Sequence, residues 1–125
     1  GVAVPGGGAG DRAGGGRSVT TTKRESHIVR DIIAALRASE PGAYAIKIHG
    51  GPYQAAGLPD VYFTAPSLDG RSVWIEVKRP GQKPTRRQLD TMAALRRAGA
   101  VSGVATGVEE ARALVRSAQP SGNPG

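Results

Sequence analysis

Apolar residues recur along this chain with two different periods. Ile28, Ile32, Ile33 and Leu36 lie three and four positions apart, and Thr22-Lys23-Arg24-Glu25 before them has the form of a capping box. Together they predict a first helix, which Glu40-Pro41-Gly42 stops. From Ala43 to Ile48 the pattern alternates and predicts a strand, followed by a Gly-containing loop from His49 to Leu58. Asp60 to Thr64 and Ser72 to Lys78 are rich in strand formers, with turn chemistry between them at Pro66 to Gly70. Arg79 to Pro84 is a loop. Thr85 caps a helix from Arg86 to Ala98 that Gly99 ends, and Ala100 to Ala105 is a short buried strand. Thr106-Gly107-Val108-Glu109 has capping-box form and opens a last helix through about Ser117. The order is α-β-β-β-α-β-α, a hairpin followed by a β-α-β crossover, which implies an α/β fold with a mixed sheet flanked by helices.

Composition narrows the part that can fold. Glycine dominates residues 1–19, where hardly any residue is apolar and larger than alanine. Such a stretch buries too little surface to offset its ordering entropy, so it is expected to be a disordered arm or a processing remnant. Residues 119–125 read as a flexible tail, leaving 20–118 as the domain. Only five of the 125 residues are Phe, Trp or Tyr, and a lean core of this kind makes a homodimer the expected state. The chain has no cysteine, which excludes thiolate metal sites and cysteine nucleophiles and suits a cytoplasmic setting. No apolar run approaches the ~18 residues that would span a membrane, and the Gly-rich start lacks a signal-type hydrophobic region.

Net charge is +7, which favours a polyanionic partner. Between Glu76 and Ala98 seven Lys and Arg face two acids, so basic charge clusters beside the strongest strand. Nucleic acid is the commonest partner for such a balance; a solvated basic surface is the alternative.

The hairpin carries the chemistry. If pairing is symmetric about Leu68, Asp60 lies opposite Glu76, with Cβ atoms about 4.5–5.5 Å apart on one face. Lys78, two residues beyond Glu76, points the same way, while Val61, Phe63, Val73, Ile75 and Val77 point into the core. A slip of one residue would separate the acids. Two carboxylates this close repel unless a proton or cation lies between them, and hard divalent cations such as Mg²⁺ take carboxylate, carbonyl and phosphate oxygens. The Val77 carbonyl is a further oxygen donor. A lysine beside such a cation can orient or deprotonate water, or stabilise charge on phosphorus. An ordinary cross-strand salt bridge is the competing reading of the same three residues.

Gly57-Leu58-Pro59-Asp60, then Glu76-Val77-Lys78, then a Pro-Gly loop and Gln88 on a helix resemble the PD-(D/E)xK nuclease superfamily, and within it the VRR-Nuc (virus-type replication-repair nuclease) domains. The likeness runs from the helix of Glu25 to the last helix. It implies a restriction-endonuclease-like fold. It further implies that Asp60, Glu76 and the Val77 carbonyl ligate Mg²⁺ or Mn²⁺, that Lys78 activates water, that Gln88 contacts the lysine or the scissile phosphate, and that Glu25 faces the site from the first helix. The activity so implied is that of a DNA endonuclease acting as a homodimer on branched DNA such as four-way junctions. A non-catalytic nucleic-acid-binding module, or an RNA-cleaving enzyme on the same scaffold, are the alternatives.

Glu25 and Gln88 each also occupy the fourth position of a capping box and could simply satisfy helix N–H groups. Glu25 falls on the buried stripe of its helix, where a carboxylate needs a partner. In the loop before the motif, Gly51 permits close approach to a phosphate and Tyr53 could contact a nucleotide. Lys83, Arg86 and Arg87 are candidate phosphate contacts. His49, beside the loop, is a better functional candidate than His27. Gly6 to Gly10 follows no strand and is no dinucleotide loop, and neither a Walker pattern nor His-Glu-x-x-His occurs.

Overall fold

A computed structural model describes residues 23–49 and 57–120. The expected arm, the Thr22 cap, the loop residues Gly51 and Tyr53 and the end of the tail lie outside the described residues. The observed elements are α1 (Lys23–Ser39), β1 (Tyr44–Lys47), β2 (Val61–Thr64), β3 (Val73–Val77), α2 (Arg86–Arg97), β4 (Val101–Ala105) and α3 (Val108–Ala118), with a 3-10 turn at Pro66–Leu68. This is the expected order, with ends shifted by a residue or two.

The strands form one sheet in the order β1-β2-β3-β4. β1 and β2 are antiparallel, as are β2 and β3, whereas β3 and β4 run parallel across the α2 crossover. Val61 pairs with Ile75, Tyr62 with Trp74 and Phe63 with Val73. That register is symmetric about Leu68, which is fully buried, while Asp69 adopts a left-handed φ of 52° to close the turn.

Alternation splits the sheet into two faces. Val61, Phe63, Val73, Ile75, Val77 and Ala105 form one, and α1 and α3 cover it with Val29, Ile32, Leu36, Ala111, Val115 and Ala118. Val29, Ile32 and Leu36 are the buried stripe of α1; Ile28 and Ile33 flank it at the margin of the core. The opposite face carries Tyr62, Trp74 and Ser102, and α2 packs over its β3 and β4 side. There Ser102 Oγ donates to the Trp74 carbonyl (2.9 Å) and Arg96 donates to the Ser102 carbonyl (2.7 Å). Tyr62 meets Trp74 edge-on at 4.9 Å, and Tyr44 meets Tyr62 at 6.2 Å.

Two local expectations are corrected. β4 is only half-buried, and the residue capping α3 is Gly107, which offers no side-chain cap. Thr106 stands one position too early for the box. Its N–H and hydroxyl both donate to Glu110 Oε1 (2.6 and 2.8 Å), so the carboxylate reaches back from one residue later than Glu109.

Candidate active site

The site lies where β1 ends, β2 begins and β3 ends. Asp60 sits one residue before β2 and ties three strands together. Its carbonyl accepts the Ile48 N–H (2.7 Å), and its Oδ2 accepts the Val77 N–H (2.8 Å). Continuing the observed register outward by one pair brings Asp60 opposite Glu76. The approach to Asp60 depends on Gly57, which has a φ of +84°. A Cβ there would lie 2.9 Å from the Arg87 carbonyl oxygen, so glycine is required for α2 to pack against the motif.

Glu76 is only 2% exposed. Its Oε2 lies 3.4 Å from Lys78 Nζ, whereas its Oε1 is buried without a hydrogen-bond partner. Burial, reinforced by the neighbouring Asp60 charge and opposed by Lys78, raises the Glu76 carboxyl from 4.5 to about 8. Asp60 is also raised, chiefly by burial and further by Glu25, against the lowering effects of the Val77 N–H and Lys78. Without a cation, the two acids therefore hold a proton near neutrality. Lys78 answers one Glu76 oxygen, and the other has no hydrogen-bond partner when both acids are ionised.

Glu25, in the first turn of α1, is 13% exposed and near enough to act on Asp60. Its Oε2 lies 3.9 Å from Arg79 Nε. With the Gln82 amide turned to satisfy both neighbours, its nitrogen donates to Glu25 Oε2 (2.9 Å) and its oxygen accepts from the Arg79 guanidinium. The Pro80-Gly81 turn makes this geometry available. Gly81 has a φ of +87°, and the Gln82 N–H closes back on the Arg79 carbonyl (3.0 Å). Arg79 and Gln82 are the site residues that sequence reasoning did not single out. Their signal was faint, a cation and an amide flanking a turn directly after the strand.

Gln88 is engaged elsewhere. Its Oε1 accepts the Thr85 N–H (2.9 Å) and its own N–H donates to Thr85 Oγ1 (3.1 Å), a complete capping box. No bond joins it to Asp60, Glu76 or Lys78. Lys83, Arg86 and Arg87 are exposed, and Arg86 pairs with Asp90 (3.0 Å) on the solvent side of α2. Arg87 lies against Gly57 at the entry to the motif. His27 and His49 are exposed and outside the carboxylate cluster.

Among the described residues no group of three or more His, Cys, Asp or Glu forms a ready cage for a metal ion. What is present is a pair of carboxylates, one with an unsatisfied buried oxygen. The Val77 N–H points to Asp60, and its carbonyl emerges from the same edge of the strand. Hard, oxygen-only donors that still need ligands from water and substrate suit Mg²⁺ or Mn²⁺. No helix among the described residues is long and apolar enough to cross a membrane.

No family model matches the chain, and no curated protein matches it. Among solved structures, one described as a VRR_NUC domain superposes with a TM-score of 0.61 at 22% identity, covering 76% of this chain and 97% of the other. With the mixed four-stranded sheet and flanking helices in the same arrangement, the chain has a VRR_NUC-like, restriction-endonuclease-like fold.

Proposed function

We propose that this protein is a metal-dependent DNA endonuclease that hydrolyses phosphodiester bonds in branched DNA, four-way junctions included, as a homodimer. The observation that carries the reading is the convergence of Asp60, Lys78 and a buried Glu76 with one unsatisfied oxygen, on a fold shared with a VRR_NUC domain. Asp60 and Glu76, with the Val77 carbonyl, are the residues that would hold Mg²⁺ or Mn²⁺. Such an ion, when bound, supplies Lewis-acid polarisation of the phosphate and a lowered pKa for water.

The remaining work falls to the chain's own side chains. Lys78 presents its ammonium 3.4 Å from Glu76, where it can orient the attacking oxygen and balance charge developing on the phosphorus. Glu25 is held by Arg79 and Gln82 at the edge of the pair, placed to accept a hydrogen bond from a site water. The proton of the attacking water ends on solvent or a site carboxylate, and the leaving oxygen takes one from solvent. Lys83 and Arg87, exposed near the motif, are the proposed contacts to flanking phosphates. Exposed Tyr44 and Leu89 are apolar surface in keeping with pairing of two copies, and two symmetric sites would suit a two-fold junction.

The net charge of +7 also favours a second reading, a nucleic-acid-binding module that does not cut, and an RNA-cleaving enzyme is a variant of the first. Labelled duplex, flap and four-way-junction DNA, with RNA of the same sequence, should be incubated with purified protein in Mg²⁺, Mn²⁺ and EDTA. Cleavage of junctions in either metal, abolished by EDTA and by Glu76→Gln or Lys78→Ala with binding retained, is the expected result. No cleavage of any substrate in either metal ends the nuclease reading in favour of the binding module. Cleavage confined to RNA replaces the DNA assignment, and light scattering decides the dimer.

A further inference from the structure

A second basic surface lies beside the site, away from α2. It is a groove of about 620 Å³ between α1 and the edge strand β1. Val29 and Ile33 give it an apolar floor, and Arg30, Arg37 and Lys47 line it with positive charge. Among the described residues no carboxylate lines it. Arg37 is anchored by donating to the Ala45 carbonyl (2.6 Å), which fixes the far end of α1 to β1. Among the described residues Arg30 and Lys47 have no ion-pair partner, although Lys47 is half-buried.

One end of the groove lies next to the site. Its near end is formed by Ser26, the residue after Glu25, and by His49, the residue after Ile48, whose N–H is bonded to the Asp60 carbonyl. A chain entering at the carboxylates would therefore continue between Arg30 and Lys47 towards Arg37. This chain's own segments outside the described residues are poor occupants, because residues 1–22, 50–56 and 121–125 contain a single acid, Asp11. The missing partner is polyanionic and has apolar parts to set against the floor.

We infer that this groove binds a single nucleic-acid strand continuing from the Asp60–Glu76 carboxylates, its phosphates met by Arg30 and Lys47 and its unpaired bases or sugars seated on Val29 and Ile33. This rests on the nuclease reading for its direction, and on the groove's charge and lining for its occupant. A duplex would keep its bases stacked inside and meet only the rim; a strand splayed from a flap or branch offers both surfaces.

The experiment is binding by the full chain of a short oligothymidylate strand and a blunt duplex, with Ca²⁺ replacing Mg²⁺, titrated against salt. Hydrolysis of bis(p-nitrophenyl) phosphate with Mn²⁺ reads the catalytic end alone. Arg30→Ala with Lys47→Ala should lower the salt slope for the strand by about 1.4, at 0.7 per phosphate contact, and leave the small-ester rate unchanged. Arg30→Lys with Lys47→Arg should keep the parent slope. An unchanged slope in the alanine pair, a lost slope in the charge-conserving pair, or an equal loss for the blunt duplex overturns the inference. If the parent cuts neither DNA nor the small ester while the slope still falls, the groove stands and the nuclease reading fails.

Discussion

Replacing Glu76 by Gln removes the most strongly perturbed carboxyl among the described residues, and the structure fixes the direction of the result. The Glu76 carboxyl is raised from 4.5 to about 8 by burial first and by Asp60 second. A raised carboxyl binds its proton more tightly in the folded state. Its contribution to stability is therefore full below pH 4.5 and is lost as pH climbs towards 8. At about 1.36 kcal/mol per pKa unit, this rise corresponds to a ceiling of roughly 5 kcal/mol between pH 4 and pH 9, large beside the 5–15 kcal/mol typical of a whole domain. Asp60, raised as well, acts in the same direction, and Lys78 opposes both. Urea denaturation of the protein in EDTA, from pH 5 to pH 9, should show stability falling across that range. Glu76→Gln, neutral at every pH, should flatten the fall and be the more stable protein at pH 8.5, even as it abolishes the proposed cleavage. Added Mn²⁺ should restore the parent at pH 8.5 and do little for the variant. Stability of the parent rising between pH 5 and pH 8, or an identical pH profile in the variant, refutes the account.

Gln88→Ala should lower stability by about 1 kcal/mol through loss of the cap on α2, read as a shifted urea midpoint. If kcat then falls by more than the loss of folded protein explains, Gln88 also reaches the reacting centre. Gly57→Ala should destabilise by about 1–3 kcal/mol, since the positive φ and the 2.9 Å approach to the Arg87 carbonyl act together; a melting temperature equal to the parent's would count against that contact. Phe63→Ala, at a fully buried position in the middle of the sheet, should cost about 3–5 kcal/mol in chemical denaturation, and a loss under 1 kcal/mol would show that the core closes over the gap.

The sheet and the acid pair were legible because short-range patterns determine both. Alternation in Val73 to Val77 fixed which side of β3 meets the core, and a turn centred on Leu68 left one register that put Asp60 across from Glu76. The α3 cap was misread for a local reason: Thr106 and Glu110 are bonded, but with an offset of four that mimics a box displaced by one residue. Gln88 satisfied two patterns at once, and only coordinates show that its amide oxygen faces Thr85. Arg79 and Gln82 were not legible in advance, because their partner Glu25 belongs to the first helix and no local spacing links the two ends. The groove between α1 and β1 was hidden likewise, since Arg30 and Lys47 become neighbours only once helix and edge strand are docked.

Asp60 is also a rivet. Through its main-chain oxygen it grips β1, and through its side chain it grips β3, so the residue proposed to hold the metal also joins the ends of three strands. Anyone wanting a dead enzyme with which to trap DNA should therefore leave this position alone, or use Asn, which keeps an acceptor for Val77. Truncation to alanine keeps the main-chain link to β1 but frees the end of β3, and a failure to bind DNA would then be mistaken for a failure of recognition.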